Sequence, residues 1–512
     1  MFARAFSGGL LGIDAYRVEV EVDCTGGIGQ IQIVGLPDAA VKESQERVRS
    51  AIKACSFLMP PGKKWVVNLA PADTRKEGPS FDLPIAIGIL AATGLIPTIH
   101  LPKIWLVGEL GLDGSVRPIT GALPIALAAK DSGVDGIVVP DLNSEEASLV
   151  EEIKIYPVSH LKQVCDIIRD PDSGVVLKHD TRKAFFARQR HNYPELDFNE
   201  VKGQALAKRA FEIAAAGHHN ILLVGPPGSG KSMLAQRLPG IMPKLSFEEA
   251  MDLTKLYSVA GLLSNRAALL LERPFRSPHH SASATGLIGG GSIPKPGEIS
   301  LSHRGILFLD ELTEFPRAHL DTLRQPLETA NVTISRVNQT LTYPASFLFV
   351  GACNPCPCGY RGDPIKYCVC TPSQADRYWA RLSGPLLDRI DLHIDVARLK
   401  EYELAENGSG DSSELIRMRV ERAVEWQKER FGSNHFIPNG QLSHRQVTNF
   451  CRIDEPSRML LARAVTQLGL SARAYDRVLR VARTIADLAC QEKIEAVHIA
   501  EALKYRGSVR GV

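Results

Sequence analysis

The sequence lacks an apolar run long enough to cross a bilayer, which takes about 20 residues in a helix. Its opening stretch, MFARAFSGGLLGIDAYRVEVEVD, turns polar too soon for a secretory signal. Both absences predict a cytoplasmic protein. An excess of either charge is also missing. A net charge of +3 over 512 residues neither demands nor excludes a nucleic-acid partner, because local patches decide that. No internal repeat is visible, which leaves out a repeat architecture. Cysteine is present, ten in all, but a large cytoplasmic chain is not expected to carry a disulfide framework. Five of the ten crowd into 353–370 and need a local explanation. The remaining composition, 44% hydrophobic and 23% charged, is that of an ordinary globular chain. At this length one core cannot suffice, and about two to four domains are expected.

Three blocks follow from patterning. Residues 1–170 alternate β-rich runs (Arg17–Val22, Ile28–Val34, Lys64–Asn68, Ile104–Glu109, Gly136–Val139) with helical patterns (Asp38–Ala54, Leu83–Thr93, Gly121–Ser132). Residues 171–195 are polar and aperiodic and read as a linker with a basic middle. An α/β pattern fills 196–400. The segment 401–441 connects it to the tail, with a flexible-loop signature at Asn407–Ser413 (NGSGDSS). The tail block is 442–512, and from Leu442 to Leu503 it is almost all helix by its apolar spacing.

The α/β block carries nucleotide chemistry. Gly225-Pro226-Pro227-Gly228-Ser229-Gly230-Lys231-Ser232 fits the phosphate-loop pattern without mismatch. It follows the apolar run Asn220–Val224 and opens a helical pattern, which is the context the motif needs. Glycine lets the backbone N–H groups turn onto phosphates, and the helix N-terminus adds positive potential. Lys231 supplies a point charge for the β- and γ-phosphates, and the Ser232 hydroxyl can ligate Mg²⁺. Further on, the apolar strand Gly305–Leu309 ends in Asp310 and Glu311. The first suits the metal and the second the attacking water. A third strand, Phe347–Ala352, delivers Asn354, either to the lytic water or as a turn residue before Pro355. Arg389, in SGPLLDRID, is either an arginine offered to a neighbour's γ-phosphate or the partner of Asp388 or Asp391. Arg473, in SARA, either reports the nucleotide state or is solvated.

The ordered set GPPGSGKS, GILFLDEL, GACNPCPCG, SGPLLDRIDL and LSARAYDRVLRVARTIADL resembles the magnesium-chelatase-like AAA+ ATPases of the ComM (YifB) group over the whole chain. The resemblance implies a multidomain α/β protein: a P-loop NTPase core with a C-terminal helical lid, ATP and Mg²⁺ as cofactors, and a homo-oligomeric ring, a hexamer. It assigns Walker A to 225–232, Walker B to Asp310 and Glu311, sensor 1 to Asn354, the arginine finger to Arg389 and sensor 2 to Arg473. Ser232 stands where many relatives have threonine, and either hydroxyl can serve.

Two insertions interrupt the core. Phe275–Ser300, rich in Gly, Ser, His and Pro, is expected to be a mobile loop. Ala330–Tyr343 alternates like a hairpin around Arg336. The resemblance makes them the helix-2 insert and the pre-sensor-1 hairpin of a ring pore. His279, His280, Lys295 and Arg336 are then candidates for a DNA phosphate backbone, or else surface ornament or subunit contact. Arg473, Arg477, Arg480 and Arg483 form a charged helical stripe, facing solvent, a subunit or DNA.

Cys356, Cys358, Cys368 and Cys370 form two C-x-C pairs that could surround a structural Zn²⁺ or stay as packed thiols. Cys353 reads as core. In the first block, Arg75–Ser80 and Val107–Leu123 resemble Lon-type proteases, which implies an α+β domain of ribosomal-protein-S5 type. Lon places a lysine base where this chain has Pro124, and Lys130 lies two turns on, so a non-proteolytic scaffold is expected. The functional expectation is an ATP-driven ring motor on single-stranded or branched DNA, a branch-migration helicase in natural transformation. The alternatives are a chelatase-type ATPase remodelling a protein partner and an ATP-dependent protease.

Overall fold

The computed structural model describes residues 2–27, 29–177, 181–190, 196–263, 269–291, 294–336, 339–399, 410–432, 436–469 and 471–506. The chain forms two compact units. The first is Met1–His191 with Ser246–Leu271, and the second is Asn192–Leu245 with Glu272–Val512.

The first unit is built on a mixed seven-stranded sheet of order β3-β4-β2-β1-β5-β8-β9. Its strands are β1 (Phe2–Leu11), β2 (Asp14–Gly26), β3 (Ile31–Val34), β4 (Lys63–Ala70), β5 (Ile104–Leu106), β8 (Gly136–Pro140) and β9 (Lys154–Val158). A short ladder joins β6 (Glu109–Leu110) to β7 (Val116–Arg117). The β1–β2 hairpin closes at Gly12 with φ +64°, a backbone that glycine adopts without strain. Along β2, Val18, Val20 and Val22 are buried, while Glu19 and Glu21 lie on the other face and pair with Arg4, the period-two signature of a half-buried strand.

Every residue of the helix Asp82–Ala92 is buried. Its first residue is a carboxylate, and a buried charge must be paired. Asp82 accepts two hydrogen bonds from the Arg47 guanidinium, at 2.6 and 3.0 Å, and others from the Ser44 hydroxyl and the Leu110 N–H.

Two stretches depart from the sequence reading. The segment 171–195, read as a linker, carries a helix at Thr181–Arg190. Phe185 on this helix is 2% exposed and stands edge-on to Phe247, 5.6 Å between centroids. Phe247 opens the helix Phe247–Ala260, which lies inside the stretch read as ATPase core yet folds with the first unit. A Ser246–Glu249 capping box starts that helix. The Ser258 hydroxyl near its end donates to the buried Glu146 carboxylate, which also accepts from the Leu123 N–H at 2.8 Å.

The second unit centres on an all-parallel five-stranded sheet, order β11-β14-β17-β10-β18. The strands are β10 (Ile221–Val224), β11 (Phe275–Arg276), β14 (Ile306–Leu309), β17 (Leu348–Cys353) and β18 (Leu392–Asp395). Burial on both faces explains the unbroken apolar runs ILLV, ILFL and LFVGAC. The helices Ala205–Gly217, Lys231–Ile241, Ser413–Phe431 and Ala472–Leu488 share one core with this sheet. His444–Phe450, Glu455–Leu468 and Ala496–Lys504 are the other helices of the tail. Of the break read at 407–413, residues 407–409 lie outside the described residues, while Ser412 caps the helix Ser413–Phe431. The hairpin expected at 330–343 is β15 (Asn331–Arg336) paired with β16 (Gln339–Pro344).

Asp82→Ala leaves Arg47 without its buried partner and is expected to cost the first unit about 3 kcal/mol. A thermal melt of the full chain checks this, and an unchanged melt would refute the anchoring role.

Candidate nucleotide site

The phosphate loop leaves the carboxyl end of β10 and feeds the helix Lys231–Ile241. Gly228 and Gly230 take φ +76° and +91°, a left-handed backbone that lets successive N–H groups face one point. Gly225 answers a different constraint, since a Cβ there would fall 2.2 Å from the Val396 carbonyl. Lys231 is buried at the mouth of the loop. Its ammonium donates to the Gly225 and Pro226 carbonyls at 2.8 and 2.9 Å and lies 3.5 Å from Asn354 Oδ1. Burial lowers its pKa, opposed by the charge of Asp310.

The Ser232 hydroxyl donates to Asp310 Oδ2 at 2.6 Å. A hydroxyl and a carboxylate side by side at a helix N-terminus form a hard oxygen donor set that fits Mg²⁺. Bound there, the ion would neutralise phosphate charge. Glu311 follows with φ +50°, an uncommon backbone for a non-glycine residue and one that recurs at functional sites. Its N–H donates to Asp310 Oδ1 at 2.9 Å, and its exposed carboxylate lies 3.4 Å from His280 Nδ1. Lys231, Ser232, Asp310 and Asn354 are thus brought together, with Glu311 at the rim.

Arg389 and Arg473 are not brought to this loop. Asn220 precedes β10, at the amino end of the sheet, and its side-chain amide donates to the Arg389 carbonyl at 3.0 Å. The Arg389 guanidinium binds Glu328 and the Pro385 carbonyl; the pairing with Asp388 or Asp391 considered from the sequence is not made by these contacts. Arg473 lines a cleft of about 490 Å³ together with Asn220, Glu328, Phe347, Arg477 and Arg480. Four residues of parallel strand, ~13 Å, separate this end from the phosphate loop.

The rest of the arginine stripe is spoken for. Arg477 pairs with the buried Asp391 at 2.9 Å, Arg480 donates to the Gly440 carbonyl, and Arg483 is held by Asp487 and the Gln491 and Glu492 carbonyls. Burial would raise the Asp391 carboxyl, but Arg477, His219 and Arg506 outweigh it and hold it well below the carboxylate range. These three arginines are tied into the fold by internal contacts, and Arg477 and Arg480 also line the cleft beside Arg473.

Residues 197–404 and 410–506 match the families described as magnesium chelatase, subunit ChlI, and its C-terminal part; residues 20–143 match the subunit ChlI of Mg-chelatase. Competence protein ComM of Haemophilus influenzae is 43% identical over 512 residues, covering 99% of this chain and 98% of that protein. The chain belongs to the ComM/YifB family of magnesium-chelatase-like AAA+ ATPases. YifB of Escherichia coli is 42% identical over 498 residues, 97% of this chain. Lon protease 2 of Bacillus subtilis is 28% identical over 177 residues, 32% of this chain and 30% of its own. Among the described residues no helix is long and apolar enough to cross a membrane.

The Lon-like likeness does not extend to a Ser–Lys pair. Pro124 is buried in the helix Ala122–Asp131, and Lys130 is bound to Glu152 at 2.9 Å. Ser80 sits at the start of the buried helix, its carbonyl accepting from the Gly108 N–H.

The insertion at 275–300 is not a bare loop. Arg276 makes a bidentate pair with Glu298 at 2.6 Å to each oxygen. A short helix spans Ala284–Ile288, and β12 (Gly289–Gly290) pairs with β13 (Lys295–Pro296). The Tyr343 hydroxyl donates to the Pro294 carbonyl at 2.7 Å, so the insertion packs on the β15–β16 hairpin. Lys295 is exposed on β13. The His279 ring lies tilted against His280, 4.0 Å between centroids, and bonds Ser281, while His280 is the one that reaches Glu311. Arg336 ends β15, and its side chain lies outside the described residues. Sequence reasoning missed the His280–Glu311 contact, since a doublet of histidines carries no spacing signal.

The four clustered cysteines converge, their sulfurs all within 4.8 Å of one another. Cys353 is core as expected, its thiol pushed up to about 12 by burial.

Lys231→Ala removes the charge set against the phosphates and is expected to lower ATP turnover about 100-fold or more. Ser232→Ala should instead raise the Mg²⁺ concentration needed for half-maximal turnover. Steady-state ATPase assays over a Mg²⁺ series separate the two, and equal Mg²⁺ dependence in wild type and Ser232→Ala would refute the hydroxyl's role.

Proposed function

We propose that this chain is an ATP-hydrolysing motor that closes into a homo-oligomeric ring, a hexamer, and drives branch migration of DNA recombination intermediates in natural transformation. The observation that carries the reading is the separation of the two halves of the catalytic set. Lys231, Ser232 and Asp310 stand at the carboxyl end of the sheet, while Arg389 and Arg473 stand at the amino end of the same sheet. A γ-phosphate held by one subunit would meet arginines only from the next one. Glu311 then orients the attacking water, Asn354 positions it, and Arg389 of the neighbour stabilises charge on the transferring phosphoryl group.

The DNA half of the reading draws on the full-length likeness to a protein named for competence. The exposed Lys295, with His279 and Arg336, would meet the phosphate backbone from the insertion and hairpin. A chelatase-type motor acting on a protein partner is the second reading, favoured by the family descriptions over 197–404 and 410–506. Proteolysis has no support from a chain that carries Pro124 at the lysine position and holds Lys130 on Glu152.

The test mixes two inactive variants. Arg389→Ala is expected to lose about 1,000-fold in turnover, and Lys231→Ala loses turnover alone. Mixed, they should regain activity, because some interfaces then pair an intact loop with an intact arginine. No recovery would refute a shared site. Glu311→Gln should bind ATP but turn it over about 100-fold more slowly. Branched DNA should stimulate wild-type ATPase and be displaced by it; stimulation by a protein partner alone would favour the second reading.

A further inference from the structure

Cys356 and Cys358 face Cys368 and Cys370 across a loop. The Cys356–Cys358, Cys356–Cys368 and Cys358–Cys368 sulfurs lie 3.3, 3.6 and 3.6 Å apart. A tetrahedron of sulfurs at 2.3 Å from zinc has edges of about 3.8 Å. The set is therefore already close to the size of a Zn²⁺ cage, and none of the four is in a disulfide. The Cys358 N–H donates to Cys370 Sγ at 3.3 Å, a backbone-to-sulfur bond that suits a thiolate ligand.

The apolar side chains of the loop do not account for its shape. Residues 361–371 form no helix or strand. Ile365, Tyr367 and Val369 are 65%, 95% and 83% exposed, while the alternating Cys368 and Cys370 turn inward. A segment that gives its hydrophobic groups to water and its thiols to a common centre gains little from apolar burial. Neutral thiols are weak donors and acceptors, so they supply little cohesion of their own. Four thiolates around a soft-tolerant tetrahedral ion would supply it, and full sulfur coordination leaves no open position for catalysis.

The same loop touches the nucleotide site. Cys356 lies two residues beyond Asn354. The turn that follows closes with Gly359, φ +84°, whose N–H donates to the Cys356 carbonyl at 2.9 Å. A Cβ on Gly359 would come within 2.7 Å of Pro227 Cδ, in the phosphate loop itself. The Trp379 indole N–H donates to the Pro355 carbonyl at 3.0 Å, pinning the near strand of the turn.

We propose that Cys356, Cys358, Cys368 and Cys370 hold one structural Zn²⁺, and that this centre buttresses Pro227 and Asn354, so that losing the metal weakens nucleotide binding. The coupling to nucleotide rests on the proposed function; the metal site does not.

The test uses the purified full chain. Zinc by plasma mass spectrometry should be about one equivalent per chain. Cobalt reconstitution should give the visible bands of a tetrahedral tetrathiolate. The double variant Cys368→Ser with Cys370→Ser, at the exposed end of the cage, should lose metal at least tenfold, while Cys490→Ser keeps it. In the double variant the dissociation constant for a fluorescent ATP analogue should rise several-fold, with circular dichroism unchanged. A folded wild type that takes up neither zinc nor cobalt, or a double variant that keeps its zinc, overturns the site. Metal loss with unaltered nucleotide affinity overturns the coupling. A wild type that holds zinc but binds no nucleotide would fail the functional reading alone.

Discussion

The 2.6 Å hydrogen bond from the Ser232 hydroxyl to the Asp310 carboxylate depends on the order of the second sheet. Ser232 is delivered by β10 and Asp310 by β14, and β17 lies between them. Parallel pairing puts all three carboxyl ends on one edge, which is where open α/β sheets place ligands. Asn354 then extends from the middle strand toward Lys231. The geometry tolerates little slack. Gly225 has no room for a Cβ beside the chain leaving β18, and Gly351 in β17 would press a Cβ to 2.9 Å from Leu312. The chemistry of the edge is therefore set by how closely apolar strands pack beneath it.

At the other edge a single residue organises the return. Asn220 gives its carbonyl to the Asp391 and Leu392 N–H groups, its side-chain oxygen to the Phe349 N–H and its side-chain amide to the Arg389 carbonyl. It thereby fixes β17, β18 and the Arg389 turn in one register. Asp391 adds the tail helix through Arg477. A buried pair of this kind contributes little net stability but costs about 3–5 kcal/mol when one partner is removed. Arg477 is thus part of the frame while also lining the cleft, and the exposed Arg473, one turn earlier, lines the same cleft.

Much of the second unit could be read directly, because strands buried on both faces write themselves as apolar runs and the phosphate loop has a fixed spacing. What stayed hidden depends on distant partners. Arg473, Arg477, Arg480 and Arg483 share one helical spacing; distant partners (Asp391, the Gly440 carbonyl and Asp487) tie down the last three. Phe185 and Phe186 stood as an aromatic pair in a polar stretch until Phe247 supplied Phe185 with its long-range contact. The Ser246–Glu249 capping box is a sequence signature of a helix start at Phe247 that the sequence reading did not use. Its membership in the first unit turned on Ser258 meeting Glu146, 112 positions apart. Strand β1 was obscured by Ser7, Gly8 and Gly9, residues of low strand propensity. Gly8 is needed there because a Cβ would fall 2.5 Å from Ile125.

The insertion after β11 combines a firm tie at Arg276 with a light contact at His280. Its firm tie is the bidentate Arg276–Glu298 pair, with both side chains largely out of solvent and a geometry that ranks among the stronger ionic contacts. Its contact with Glu311 runs through His280 at 3.4 Å, between two groups open to water. Exposed ion pairs contribute under about 1 kcal/mol, so thermal energy and a modest ligand can break the second contact while the first holds. The hairpin adds a further tie through Tyr343 and Pro294. The carboxylate at the rim of the phosphate loop is thus held on its outer side by a contact open to water.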